Sequence, residues 1–321
     1  MTMGGFENSW PLTAYGSSVA WFRNELAHRR IVLDESSPLG IALHRLEAYA
    51  ANVLVDDTFF YPSTEAAFEE HATIYGADLL TKAIHVGCNA GLSLTRDRWN
   101  MLATDDPLVT RPVEKSEDQS GRNKTWETVI GCLTANFAAD VRFEEPDVTC
   151  IYQGQRHVIA AKMIYSTRKI TKNVLKGAEQ AAPFADVQHV FANPVALLKG
   201  AEILRLSRTV ELNADQMALH FEVWSRAWVD AYGCADACMD IYESGANVAF
   251  FMPLLIDSRD APRPLIALTG FFHEGKNGGF EFARQFQYEW ARLPGFTSTA
   301  STTYLRRSAP SGGSMSTQRQ S

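Results

Sequence analysis

Glu144-Glu145-Pro146-Asp147 is followed, fifteen residues after its aspartate, by the lysine of Val158-Ile159-Ala160-Ala161-Lys162-Met163-Ile164. The second of these runs is apolar apart from its lysine and reads as a buried strand. Side chains alternate faces along a strand, so Val158, Ala160 and Lys162 share one face and Ile159, Ala161 and Met163 the other. A lysine in so apolar a strand needs an anionic partner or a task, because an unpaired buried ammonium is costly. Asp147 opens the preceding strand candidate, Asp147–Tyr152, behind Pro146, which cannot donate within a central ladder and so fixes where pairing begins. The turn Gln153-Gly154-Gln155 joins the two strands. If they are adjacent, Asp147 and Lys162 come together. That pair is the arrangement needed to hold a metal ion against a phosphate, and it is equally the arrangement of a structural ion pair without catalysis.

Outward from this hairpin the pattern alternates. A helix from about Lys124 to Asn136 carries Trp126, Val129, Ile130 and Leu133 on one side, and a short strand candidate follows at Asp140–Phe143. After the lysine strand, expected over His157–Tyr165, come a helix from about Arg168 to Ala182 and a strand at Val187–Ala192. Helix, three strands, helix, strand is the order of an α/β sheet domain. Further elements are expected as a helix at Ala214–Tyr232, strands at Val248–Ile256 and Leu265–Phe272, and a helix at Phe280–Arg292. From Thr297 the chain is rich in Ser, Thr, Gly and Gln, which predicts a disordered tail.

The first hundred residues read as helical. Ser37-Pro38 supplies an N-cap and a first-turn proline, and Ile41, Leu43, Leu46 and Tyr49 recur near helical spacing. Ser63 opens a third helix, with another expected from Ala77 to Val86. Pro107, Pro112 and the polar run from Glu114 to Gly121 carry turn formers without apolar periodicity. The division expected is a helical segment over 1–104, a linker over 105–121, an α/β domain over 122–295 and a tail over 296–321.

Composition adds bounds. With 321 residues, 46% hydrophobic and 21% charged, the chain suits roughly two globular domains. No apolar run approaches the ~20 residues that cross a bilayer, and no basic region precedes an apolar core at the N-terminus. Five scattered cysteines, Cys88, Cys132, Cys150, Cys234 and Cys238, suit a reducing compartment, so a cytoplasmic location is expected. The net charge of −7 argues against indiscriminate coating of nucleic acid. Its distribution is uneven, however. Val148 to Ala178 contains no Asp or Glu but holds Arg156, Lys162, Arg168, Lys169, Lys172 and Lys176. Such a stretch fits a phosphate-binding groove, and it also fits a solvated basic helix face.

Trp126-Glu127 in a first helix, Pro146-Asp147, a strand ending in lysine and a helix carrying glutamine together resemble the PD-(D/E)xK nuclease superfamily, over roughly Lys124 to Pro194. The resemblance implies a restriction-endonuclease-like α/β core with a mixed sheet and metal-dependent hydrolysis of nucleic acid, DNA in particular. Carried over by position, Asp147 binds Mg²⁺ or Mn²⁺ and Glu127 assists it. Lys162 orients water or stabilises charge on the phosphate, and Gln180 is the polar residue of the following helix. The departure is Ala160, where the superfamily has Asp or Glu. Magnesium often needs only one or two protein carboxylates, so Asp147 with Glu127 suffices for one ion, whereas a two-metal clamp is harder to build. Lys176, one turn before Gln180, is expected on the same side and favours phosphate binding. The alternative is a catalytically degenerate fold that grips nucleic acid or a protein partner, and a homo-oligomer is compatible with either reading.

Two further features point elsewhere. Gly275-Lys276-Asn277-Gly278-Gly279 lacks the spacing of a phosphate loop and reads as a turn into the last helix. Phe221, Trp224, Trp228 and Tyr232 form a helical stripe that suits core packing, with base stacking as the alternative.

Overall fold

The computed structural model describes residues 16–53, 64–104, 120–165, 167–184, 187–193, 204–206, 227, 231, 240–241, 243–258, 265–274, 279–293 and 297–304. Most of the expected linker, the helix at Ala214–Tyr232 with its aromatic stripe, Cys234, Cys238 and most of the Gly275 turn lie outside the described residues.

A mixed sheet flanked by helices organises the chain. β2 (Val148–Tyr152) and β3 (Gln155–Met163) form an antiparallel hairpin, with Val148 opposite Ile159 and Tyr152 opposite Gln155. β1 (Ala139–Arg142) adds to the outer edge of β2. β3 runs parallel to β4 (Val187–Asn193), which runs parallel to β6 (Asn247–Ser258). The sheet continues through β7 (Leu265–Glu274) to β8 (Thr297–Tyr304), and β5 (Leu204–Leu206) also pairs with β6. Central parallel strands are covered on both faces and read as continuous apolar runs. Val158, Ile159 and Ala160 accordingly have no exposed surface. β8 departs from the disordered tail that composition predicts. Its threonines and tyrosine suit a strand, and the open edge of β7 offers backbone groups to pair.

Opposite faces of the sheet receive different helices. α6 (Ile170–Ala181) lies on the face of Val158, Ala160 and Lys162. It approaches closely at Gly177, where a Cβ would stand 2.8 Å from Val190 Cγ1 and 3.2 Å from Lys162 Cε. α5 (Ser120–Thr134) and α7 (Gly279–Ala291) cover the other face. The Trp126 indole N–H donates to the Phe191 carbonyl at 3.0 Å, and its ring packs against Phe251, Phe286 and Trp290. Beside them His157 and His189 share a hydrogen bond of 2.9 Å, and both rings stack on Phe282. Burial pushes His157 down to about 4, so this histidine is neutral near pH 7 and serves the core.

Among the described residues four helices precede α5: α1 (Val19–His28), α2 (Pro38–Val53), α3 (Thr64–Asn89) and α4 (Arg96–Thr104). The Ser37 hydroxyl accepts the Gly40 N–H at 3.1 Å, which is the cap that Ser37-Pro38 predicts. Where the sequence suggests two helices, α3 is one. Gly76 interrupts the pattern at a cost of about 1 kcal/mol, but buried Ile74, Ala77, Leu80, Ala83 and Ile84 on either side of it pack as a single face. Inside α3, Lys82 pairs with Asp78, which also accepts the Gly16 N–H at 2.9 Å. Burial pushes Asp78 up to about 6 and Lys82 down. α3 meets α5 at Gly87, where a Cβ would stand 2.7 Å from Cys132 Cα. The buried apolar residues of these helices and of the sheet form one continuous cluster from Val19 to Leu293. Among the described residues no helix is long and apolar enough to cross a membrane.

Candidate functional site

Asp147 stands one residue before β2, beyond the last paired position of the hairpin. Its Oδ2 accepts the Ala161 N–H at 2.8 Å and lies 3.5 Å from Lys162 Nζ. The first contact is a well-formed hydrogen bond; the second is an ion pair at the limit of hydrogen-bonding range. The backbone of β3 therefore fixes the carboxylate, and Lys162 is attracted to it without being locked. Their side chains are 14% and 17% exposed, so both stay open to a ligand.

Glu127 belongs to α5 and its side chain is only 4% exposed. Lys124, one turn earlier, places Nζ 2.7 and 2.6 Å from its two oxygens, and Arg98 Nη1 lies 3.6 Å away. Burial pushes Glu127 up to about 7, the negative charge of Asp147 adds to that rise, and Lys124 and Arg98 oppose it. The two carboxylates are thus close enough to repel each other.

Arg98 comes from α4, in the N-terminal helical segment. Its Nη1 donates to Thr128 Oγ1 at 3.0 Å and to the Lys124 carbonyl at 3.4 Å. Its guanidinium lies 3.9 Å from the centroid of the Phe143 ring, within cation–π range. Phe143 in turn is pressed against Gly131 of α5, where a Cβ would collide with the ring. Arg98 is thereby held at 12% exposure by two residues of α5 and by the Phe143 ring just after β1.

The donor set suits one hard cation. Among the described residues no group of three or more His, Cys, Asp and Glu is placed to cage a metal. Magnesium, however, keeps several waters and takes further ligands from substrate phosphate. Asp147 and Glu127 are the carboxylates of this cluster that could hold such an ion. Ala160, on the Lys162 face, is fully buried beneath α6 and contributes no ligand.

The other sequence candidates fall in different places. Gln180 is half-buried, and its Oε1 is buried without a hydrogen-bond partner; no hydrogen bond joins it to Asp147 or Lys162. Gly177, rather than Lys176, is the α6 residue against the Lys162 side chain. Lys176, Lys172, Arg168 and Lys169 are exposed along α6 and the turn before it. Arg156 sits at the hairpin turn and pairs with Glu144 at 3.4 Å. Six residues of strand, about 20 Å, separate it from Lys162. Arg98 and Lys124 are the site residues that the sequence reading passes over. The spacing of Lys124 and Glu127 is a legible one-turn pair, whereas nothing near Arg98 in sequence announces its partner. Comparison of the chain with protein-family models, curated proteins and solved structures gave no match.

Proposed function

We propose that this protein hydrolyses phosphodiester bonds of nucleic acid, DNA foremost, with one Mg²⁺ or Mn²⁺ held by Asp147 and Glu127 on a sheet of restriction-endonuclease-like type. The observation that carries the reading is the cluster of ionisable side chains, with Lys162 Nζ 3.5 Å from Asp147 and Glu127 buried against Lys124 and Arg98. The order of helix, hairpin, helix and parallel strand supports the fold assignment. A bound ion would supply an acidified water and neutralise charge on the phosphate. The remaining tasks belong to the chain. Asp147 is oriented by the Ala161 N–H, and Lys162 offers a preorganised positive charge where negative charge develops. Exposed Arg168, Lys169, Lys172 and Lys176 supply sequence-independent attraction for the phosphate backbone.

A second reading, a nuclease-like domain that grips nucleic acid without cutting it, is favoured by the fully buried Ala160. Calorimetric titration of Mn²⁺ into wild type and Asp147→Asn, each with a short DNA duplex present, separates the two. The asparagine keeps an acceptor for the Ala161 N–H and removes the charge. Ion binding present in wild type and lost in the variant supports the hydrolytic reading. No ion binding in either, with DNA binding retained, sinks it and leaves the grip.

A further inference from the structure

Among the described residues, three cations stand around the two carboxylates. Lys124 touches Glu127 at 2.6 Å, Arg98 approaches it at 3.6 Å, and Lys162 lies 3.5 Å from Asp147. Three cationic side chains against two carboxyl groups leave the free site with a surplus of positive charge before any metal arrives. A divalent ion adds to that surplus in a place where Glu127, Arg98, Asp147 and Lys162 are all under one-fifth exposed. Charges so shielded from water interact much more strongly than on an open surface. Arg98 cannot swing away, because the Phe143 ring, Thr128 and the Lys124 carbonyl hold it. Lys124 can, since its side chain is 41% exposed.

Resting on the reading above, we propose that this site takes its divalent ion together with a nucleic-acid phosphate and not before it. In the free protein Lys124 is the counter-ion of Glu127. When ion and phosphate arrive, the ion takes the carboxylate, and the Lys124 ammonium passes to the phosphate, whose negative charge balances the surplus. Arg98 is a positioning residue in this scheme. It stays fixed and keeps the site too positive for an ion alone. By linkage, phosphate must strengthen ion binding by the same factor as the ion strengthens phosphate binding.

The test is calorimetric titration of Mn²⁺ into the full chain, alone and saturated with a short DNA duplex, for wild type, Lys124→Met, Arg98→Met and Asp147→Asn. A titration into DNA alone is subtracted. In wild type, DNA is expected to strengthen Mn²⁺ binding by about tenfold or more, within the usual range of coupling between sites. Lys124→Met and Arg98→Met are each expected to bind Mn²⁺ more tightly without DNA and to show a smaller enhancement with it. A merely structural role would change only the unfolding temperature. Lys124, being exposed, decides the matter if Arg98→Met does not fold. Asp147→Asn is expected to show no enhancement. Equal Mn²⁺ affinity with and without DNA in wild type, or weaker ion binding by free Lys124→Met, overturns the inference and leaves the carboxylate site standing. Failure of Mn²⁺ to bind wild type in either state overturns the proposed function itself.

Discussion

Replacing Glu127 by glutamine removes a carboxyl whose proton affinity differs between the folded and unfolded chain, so its effect on stability is expected to change with pH. In the folded protein burial, helped by the charge of Asp147, pushes Glu127 from 4.5 up to about 7. The folded state then holds this proton more tightly than the unfolded state does. The stability gained from it is fully present below about pH 4.5 and is lost as pH rises through about 7. Between about pH 5 and about pH 8, wild type is expected to lose roughly 2–3 kcal/mol relative to Glu127→Gln. The contacts with Lys124 and Arg98 that the substitution weakens add an offset to the difference. Urea unfolding of both proteins at several pH values, in chelator, measures the difference between them and cancels groups that titrate alike in both. A difference that stays flat across the range would refute the coupling of Glu127 to burial and to Asp147.

Three further outcomes are expected. Gly87→Ala should destabilise the protein by about 1–3 kcal/mol, because its Cβ would stand 2.7 Å from Cys132 Cα; an unchanged thermal midpoint contradicts the tight meeting of α3 and α5. Gly177→Ala should cost a similar amount and also displace Lys162, 3.2 Å from the new methyl, so cleavage should fall by more than lost stability explains. Alanine at both Lys172 and Lys176 should weaken duplex binding alike across sequences and lower the salt slope by about 0.9 per lost phosphate contact. An unchanged slope in filter binding or anisotropy would remove α6 from the interface.

The sheet core was legible because its signals are local. A continuous apolar run and a Gly-containing hairpin turn mark β2 and β3 directly, and Asp147 and Lys162 meet as alternation along adjacent strands requires. Asp147 itself falls just outside the ladder, because its side chain takes the Ala161 N–H. What the sequence conceals are long-range choices. Arg98 reaches Glu127 across a segment without periodicity, and the attraction is a matter of packing against Phe143 rather than of any motif. Gly177 shows the same limit. Helical spacing puts Lys176 beside Gln180, but the close approach of α6 to β4 admits only a glycine against Lys162 and turns Lys176 to solvent. β8 is hidden for the opposite reason. Read with the residues that follow it, its composition looks like that of an unstructured tail, and pairing with the edge of β7 is a long-range choice that its own residues do not announce.

The central claim, that Asp147, Glu127 and Lys162 form a metal-dependent phosphodiester-cleaving centre, is tested most directly by Mn²⁺-dependent cleavage. Wild type, Asp147→Asn and Lys162→Met are incubated with duplex and single-stranded DNA, with and without chelator, and their thermal midpoints are recorded alongside. The expected result is cutting by wild type that chelator abolishes, and loss of cutting in both variants with the midpoints little changed. Wild type that binds Mn²⁺ and DNA yet leaves both substrates intact, or variants that cut as fast as wild type, would contradict it.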